Sequence, residues 1–594
     1  MAETITETYQ LQLEAFSTEV NRQASRSRML SWIRLLTFIF TLVALFTWIQ
    51  SGFSSMSSIL VSGFFLFLFI FLIRESQRVR TKQRRAQILA RINQAELNTL
   101  SGDASGWEPG DRFLTSNTLG DDLDLFGVFG LFPRLSRSGT SYGQELVAAW
   151  MLHPLLNDED IRNRQFAVKE LVPSLEFRQK FLMQALWEEP RTFEFNELER
   201  WINQPSFLPG YWKFLAWAWP FVMATGVAVA ILSGSWSYLI LLIILALGIV
   251  GYYQKKIMVL HEAISGYSRQ FHNAALLLQQ IASSSFEHEL LVRLQTNAAD
   301  GIQGLHRLGQ LAHALDNRLN GIAFILTNGG WLQDIHTVIG VEKWKIAYKD
   351  RWQTWFTSIA QFEALNSLAT WAYNHPEGTW PVPTRNPHWE WIAMAHPLLP
   401  ARSRVANDLT IDESTRTVLI TGSNMAGKST FLRTVGINLL LAQMGTKVQA
   451  DRWIWQPRRL FSSLRVSDSL AESTSFFMAE LKKLKLILDE LESGMPAVVL
   501  LDEVLKGTNS QDKQYGAEQL VERLLKLPAL TFLASHITEL GMLAERHPGW
   551  VENYCFESNI ENGSLEFDYR LRKGIAKNKN ATFLMQKMGI IRAE

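Results

Sequence analysis

The chain has 594 residues, which as a soft rule means about three to five domains. Lys and Arg number 58 and Asp and Glu 57, a formal charge of +1, which excludes a basic tail-type nucleic-acid binder and an acidic disordered chain. One cysteine, Cys555, excludes a disulfide scaffold and an all-cysteine metal site within one chain, so no disulfide partner is expected.

In chain order, residues 1–30 are polar and read as helix. Two apolar runs follow, at about 32–50 and 56–73, and two more lie at about 214–232 and 236–253. Each approaches the roughly 20 residues that cross the hydrocarbon layer as a helix. No acidic residue interrupts them, and the one basic residue, Arg34, sits near a run end. The loops inside each pair are very short, so each pair predicts a tight transmembrane hairpin with the lipid bilayer as partner. Trp32, Trp48, Trp212, Trp217 and Trp236 lie near run ends, as an aromatic belt requires.

Positive charge sets the orientation. Arg22, Arg26 and Arg28 precede the first run, and Arg74, Arg78, Arg80, Lys82, Arg84 and Arg85 follow the second. Lys255 and Lys256 follow the fourth, and the hairpin loops carry no Lys or Arg. Both termini and the long middle segments are therefore expected in the cytoplasm, in a multi-pass membrane protein (of the inner membrane if the source is bacterial). Residues 75–100 predict a basic helix leaving the membrane, whose patch suits anionic headgroups or a solvated face.

Residues 120–211 are helical in period, with Pro and Gly breaks. Residues 256–389 predict several long helices and end in a Pro-rich stretch at 376–390. Beyond it, short apolar runs alternate with helices, the pattern of an α/β domain with a mostly parallel sheet. The expected fold class is multidomain α plus α/β: transmembrane hairpins, an all-α middle and a C-terminal P-loop α/β domain. The expected boundaries are 1–85, 86–211, 212–255, 256–389 and 390–594.

The strongest motif is Gly422-Ser423-Asn424-Met425-Ala426-Gly427-Lys428-Ser429, followed by Thr430. It follows the strand-like TVLIT and opens a helix, the context that a phosphate-binding loop requires. Glycines let successive N–H groups face phosphate oxygens, and the helix N-terminus adds positive potential. Lys428 then reaches the β- and γ-phosphates of ATP, and Ser429 is a ligand for Mg²⁺. The run Val498-Val499-Leu500-Leu501-Asp502-Glu503 is a buried strand ending in two carboxylates. Asp502 is the expected Mg²⁺ partner, and Glu503 the group that orients water. His536 ends the next strand-like run, within expected reach of the γ-phosphate.

Together these residues resemble the MutS family, an ABC-type branch of ATPases acting in DNA mismatch repair. TGSNMAGKSTFLRTVGINLLLAQMGTKVQA, LLDEVLKGTNSQDKQYGAEQL, SHITEL, AHPLL and Asn407-Asp408 carry the likeness. DSLAESTSFFMAELKKLKLIL is similar to the family's signature segment. Ser475 stands at the signature serine and Ser473 where the family usually has Gly. The resemblance implies a homodimer that sandwiches ATP, with Ser475 acting in trans on the partner's nucleotide. Residues 123–171, with Thr140-Ser141-Tyr142-Gly143, Pro154, Ile161, Arg164 and Gln165, resemble the family's helical core, and 256–389 its levers. KGIAKNKNATFLMQKMGI is similar to the family's last segment, with Asn580-Ala581-Thr582 in place of its usual small-residue step. Phe195-Asn196-Glu197 spells the family's mismatch reader, but in a helical context, and the reading domain is expected to be absent. The second hairpin falls where a relative's levers extend toward their DNA clamp. Two functions follow: a membrane-tethered DNA-binding repair-type ATPase, or an ATP-driven membrane switch or scaffold that does not touch DNA.

Overall fold

The structure, a computed structural model, describes residues 2–50, 56–115, 118–188, 195–264, 266–423, 425–465, 476–561, 564–577 and 590. It is mostly helical, with its sheets confined to the C-terminal region, and it divides into two compact units. One comprises Met1–Ser136, Ala148–Met183 and Ser367–Glu594, the other Arg137–Val147 and Gln184–Asn366.

The first unit opens with α1 (Ala2–Gln50) and α2 (Met56–Leu100), which run antiparallel. Each continues without a break far beyond its apolar run, to a length of about 70 Å at 1.5 Å per residue. Phe38 packs on Phe69 and Phe40 on Phe65 in the apolar part, with ring centroids 5.6 and 5.4 Å apart. Further along, Arg26 pairs with Glu75 at 2.8 Å. At the polar ends, Tyr9 Oη donates to Asn374 Oδ1 at 2.9 Å, and Asn374 Nδ2 donates to Glu96 at 2.9 Å.

The second unit holds a second pair, α3 (Trp212–Ser233) and α4 (Ser237–Ile264). Among the described residues four helices, α1 to α4, are long and apolar enough to cross a membrane. Small residues Ala216, Gly226, Ala230 and Ala246 are buried, whereas Phe214, Phe221, Ile231 and Leu241 face outward. A Cβ at Gly226 would stand 2.6 Å from Leu242 Cδ1, the close approach that small residues permit. Trp212 departs from the belt expectation. It is buried, and its Nε1 donates to Tyr253 Oη at 2.9 Å, because a buried indole N–H needs a partner.

The chain continues through α5 (Ser268–Ala282), α6 (Glu289–Asp316), α7 (Gly321–Trp331), α8 (Gln333–Tyr348) and α9 (Trp352–Asn374). Glu363 on α9 is buried. Its carboxylate accepts from Gly139 N at 2.7 Å, Thr140 N at 3.2 Å and the Thr140 hydroxyl. Burial pushes its pKa up to about 7, and those three donors oppose the rise. This contact accounts for the Thr140 step read in the sequence.

The C-terminal region of the first unit contains two sheets. The smaller, in order β1-β5-β2-β3, is built from β1 (Val382–Pro383), β2 (Trp389–Met394), β3 (Asn407–Ile411) and β5 (Arg452–Trp455). Trp391 and Trp453 stack at 4.5 Å across β2 and β5. The sheet thus begins inside the Pro-rich stretch rather than after it. The larger sheet has the order β10-β9-β4-β8-β7-β6, from β4 (Thr417–Gly422), β6 (Arg459–Ser463), β7 (Ala497–Asp502), β8 (Ala529–Ser535), β9 (Val551–Glu561) and β10 (Ser564–Lys573). All its pairings are parallel except β9 with β10. Strands β4, β7 and β8 are buried along nearly their whole length, which is why they read as unbroken apolar runs. Helices α10 (Lys428–Met444), α11 (Phe476–Glu492) and α12 (Ser510–Leu524) alternate with these strands. Just past α10, Thr446 Oγ1 donates to Leu368 O at 3.0 Å, and Trp371 Nε1 donates to Lys447 O at 3.0 Å.

Candidate functional site

Strand β4 ends at Gly422, where a Cβ would stand 2.7 Å from the Phe556 carbonyl of neighbouring β9, so only glycine fits. The loop returns through Gly427 at φ +104°, beside the Tyr569 ring. Helix α10 starts at the next residue, so its free first-turn N–H groups open onto the loop. Lys428 is buried, and its Nζ donates to Gly422 O at 2.7 Å and Ser423 O at 2.8 Å. Burial lowers its pKa, and the Glu503 and Asp502 carboxylates work the other way. Ser423, Met425, Ala426 and Gly427 complete the described part of the loop, with Met425 exposed. Ser429 and Thr430 are exposed on the first turn of α10. Asn424 lies outside the described residues.

Asp502 closes β7. Burial raises its pKa, and a hydrogen bond with Ser429 opposes the rise. Its Oδ1 is buried with no hydrogen-bond partner. Glu503 follows at φ +51°, its N–H donating to Ala534 O at 2.9 Å. The Glu503 carboxylate lies 4.0 Å from Lys428 Nζ, 3.6 Å from His536 Nδ1 and 3.7 Å from Lys506 Nζ. His536, half-exposed just beyond β8, has its Nε2 3.5 Å from Lys513 Nζ. Lys428, Ser429, Asp502, Glu503 and His536 therefore meet at the C-terminal ends of adjacent parallel strands, where open α/β sheets bind ligands.

A hard cation fits this arrangement. The orphaned Asp502 oxygen and the Ser429 hydroxyl are oxygen donors of the kind Mg²⁺ takes, and Mg²⁺ completes its shell with phosphate and water. Among the described residues no cluster of three or more His, Cys, Asp or Glu side chains offers an all-protein cage.

The sequence reading missed several supports. Glu480 on α11 accepts from the Leu505 and Lys506 N–H groups at 2.6 and 3.1 Å, which holds the turn after Glu503. Asp122, fully buried, accepts from Ser462 Oγ at 2.5 Å, Arg465 N at 2.8 Å and Lys483 Nζ at 2.7 Å. Arg433 Nε donates to the Asp122 carbonyl at 3.2 Å. Asp122 thus ties together the residues flanking the segment that contains Ser473 and Ser475. Neither feature has a local motif: each is one carboxylate whose partners lie far away in the chain. Ser473 and Ser475 themselves, and Asn580-Ala581-Thr582, lie outside the described residues. Phe195-Asn196-Glu197 opens a short helix, Phe195–Asn203, as its context predicts.

Residues 418–590 match the MutS domain V family. The chain is similar to the DNA mismatch repair protein MutS of Thermotoga maritima, 36% identical over 223 residues (37% of this chain, 27% of that protein). It is also similar to the DNA mismatch repair protein MutS of Nitratidesulfovibrio vulgaris strain DP4, 40% identical over 189 residues (30% of this chain, 21% of that one). Human MutS protein homolog 4 is 31% identical over 195 residues (31% of this chain, 20% of that one). The chain thus spans about a quarter or less of the length of these relatives. Residues 418–590 thus match MutS domain V, and the likeness of this chain to the MutS proteins rests on that region.

Proposed function

We propose that the chain is a membrane-anchored ATP hydrolase that closes around ATP as a homodimer. The observation that carries the reading is the buried, partnerless Asp502 oxygen beside Ser429, with the Lys428 ammonium in the same site. Loop N–H groups from Gly422 to Thr430 cradle the phosphates, and Lys428 exchanges its two carbonyl partners for phosphate oxygens. Ser429 and Asp502 hold Mg²⁺, which supplies charge neutralisation at the phosphates. Glu503 takes the attacking water and directs it in line, while His536 fixes the Glu503 carboxylate and faces the γ-phosphate. Ser475 of a second copy completes the phosphate contacts across the dimer.

The apolar helices α1 to α4 cross the bilayer as two hairpins. The basic residues that flank them, and the ATPase domain at 390–594, lie on the cytoplasmic side. The helical segments 86–211 and 256–389 serve as core and levers.

The relatives' name, DNA mismatch repair protein, makes DNA the first candidate partner of the assembly. A second reading, an ATP-driven membrane switch without DNA, is favoured by the four long apolar helices. Fluorescence anisotropy of the detergent-solubilised protein on matched, mismatched and branched duplexes, with and without ATP and at stated salt, separates the two. A tight, ATP-dependent preference for one duplex supports the repair-type reading. Only a weak, salt-sensitive background supports the switch.

A further inference from the structure

We propose that α7 is a fifth membrane-embedded element, a short helix that lies in lipid against the second hairpin without crossing the bilayer. The proposal rests on the reading of α3 and α4 as membrane helices.

Helix α7 has 11 residues, GIAFILTNGGW, with no charged side chain among them. At about 16 Å it is far too short to cross the hydrocarbon layer, so a hydropathy search for spans passes over it. Its polarity is inverted. Ile322, Ile325 and Leu326, with Leu319 just before the helix, recur at helical spacing and are 75%, 52%, 70% and 70% exposed. The face turned inward carries Asn328 and Gly329. A helix on a water-facing protein surface shows the opposite arrangement, and an outward apolar patch of this kind marks a partner or a membrane.

The inward face packs on α4, where a Cβ at Gly329 would stand 3.0 Å from Ile243 Cγ2. Ile243 lies within the apolar run 236–253, so α7 meets α4 at hydrocarbon depth. Polar and ionisable side chains flank α7 and turn inward: Arg318 Nε lies 3.4 Å from Asp334 Oδ2, with both side chains buried, and His261 Nε2 lies 3.5 Å from Asp316 Oδ1. Ionisable groups near lipid are stabilised by such pairing. Backbone N–H groups in the first turns of α7 and α8 are also capped internally. Asn320 Oδ1 accepts from the N–H groups of Ile322 and Ala323 at 3.2 Å each, and Asn328 Oδ1 accepts from Asp334 N at 2.9 Å. Backbone polar groups in lipid must be satisfied in this way. Trp331 ends the helix exposed, as an interfacial anchor does.

The occupant of this face is lipid acyl chain. Helices α3 and α4 also turn apolar side chains outward, Phe221, Ile231 and Leu241 among them, α7 packs on α4, and α7 itself presents no charge to a protein partner. The junction between α6 and α8 is then seated in the bilayer, and movement of those helices acts on lipid directly.

The test uses the single native cysteine. In a Cys555→Ser background, the full chain carries one spin label at a time: Leu326→Cys on α7, Leu241→Cys on α4 or Ile346→Cys on α8. Ile322→Cys is a second α7 position in case one label disturbs packing. Each is placed in phosphatidylethanolamine–phosphatidylglycerol nanodiscs, and collisions with oxygen and with a water-soluble nickel chelate are compared. The expected oxygen-to-nickel ratio at 326 and 322 is at least about fivefold above that at 346, approaching that at 241. A lipid-like 241 with a water-like 326 and 322 overturns the α7 proposal and leaves the hairpin standing. A lipid-like 241 with 326 and 322 shielded from both reagents also overturns it, and means that protein covers α7. A water-like 241 overturns the hairpin reading, and the α7 proposal with it.

Discussion

The Lys428 ammonium lies 4.0 Å from Glu503 Oε1 while it donates to the carbonyl oxygens of its own loop. One cation, two loop carbonyls and one carboxylate thus form a single arrangement. In the proposed function a polyanion displaces it, and the cation is what favours phosphate over water. Replacing Lys428 with Ala is expected to abolish ATP binding or to cut turnover by about 100-fold or more. Nucleotide titration together with phosphate release measures both, and unchanged hydrolysis would refute the site.

The proposed function gives Glu503 the water rather than the nucleotide. Glu503→Gln keeps the shape of the side chain and removes its basicity. The expected variant binds ATP, turns over about 100-fold or more slowly, and accumulates as an ATP-bound dimer. Light scattering of the detergent-solubilised protein with ATP reads the dimer. A variant that binds ATP and stays monomeric sinks the sandwich.

The lone buried oxygen of Asp502 gives a prediction about metal. Asp502→Asn replaces a carboxylate ligand with an amide, so the Mg²⁺ concentration for half-maximal turnover is expected to rise at least about tenfold. Removal of Mg²⁺ by EDTA is expected to stop hydrolysis in the unmodified protein. A Mg²⁺ titration of phosphate release checks both, and an unmoved Mg²⁺ requirement in the variant removes Asp502 from the metal site.

Glu363 predicts a pH dependence of stability. In the fold its carboxyl protonates at about 7, against an ordinary 4.5 in the unfolded chain. Between those values the folded state holds more protons, so this contribution is full below about pH 4.5 and is lost as pH rises through 7. The loss is about 3 kcal/mol at 1.36 kcal/mol per pH unit. Thermal unfolding at pH 5 and pH 8 is expected to show a smaller difference in Glu363→Gln than in the unmodified protein. Equal differences in the two would show that Glu363 does not carry the effect.

The four long apolar helices were legible because a long run without acids is a one-dimensional pattern, and α1 to α4 each carry one. The phosphate loop was legible because its curl demands Gly422 and Gly427 at fixed spacing from Lys428, and β7 because a strand buried on both faces has no choice but unbroken Val and Leu. Helix α7 was not legible: an uncharged 11-residue segment that includes Thr327 and Asn328 fits a buried core helix as well as a surface one, and the burial of Asn328 beside the exposure of Leu326 is visible only in the fold. Asp122 and Glu480 were hidden for another reason. A carboxylate that clamps segments hundreds of residues away, or a turn on another strand, looks in sequence like any acidic surface residue. Trp212 misled because position near a run end and packing against Tyr253 leave the same local trace.

The contacts at the foot of the first hairpin have a mechanical consequence. Helix α10 begins at the phosphate loop, and just beyond its far end Thr446 and Lys447 are bonded to Leu368 and Trp371 on α9. A turn further along α9, Asn374 grips both Tyr9 of α1 and Glu96 of α2. Neither α1 nor α2 has a hinge along its described length, so the pair is a stiff two-stranded shaft clamped at one end. A tilt of about 5° at that clamp would sweep the opposite end by roughly 6 Å, given about 70 Å of helix.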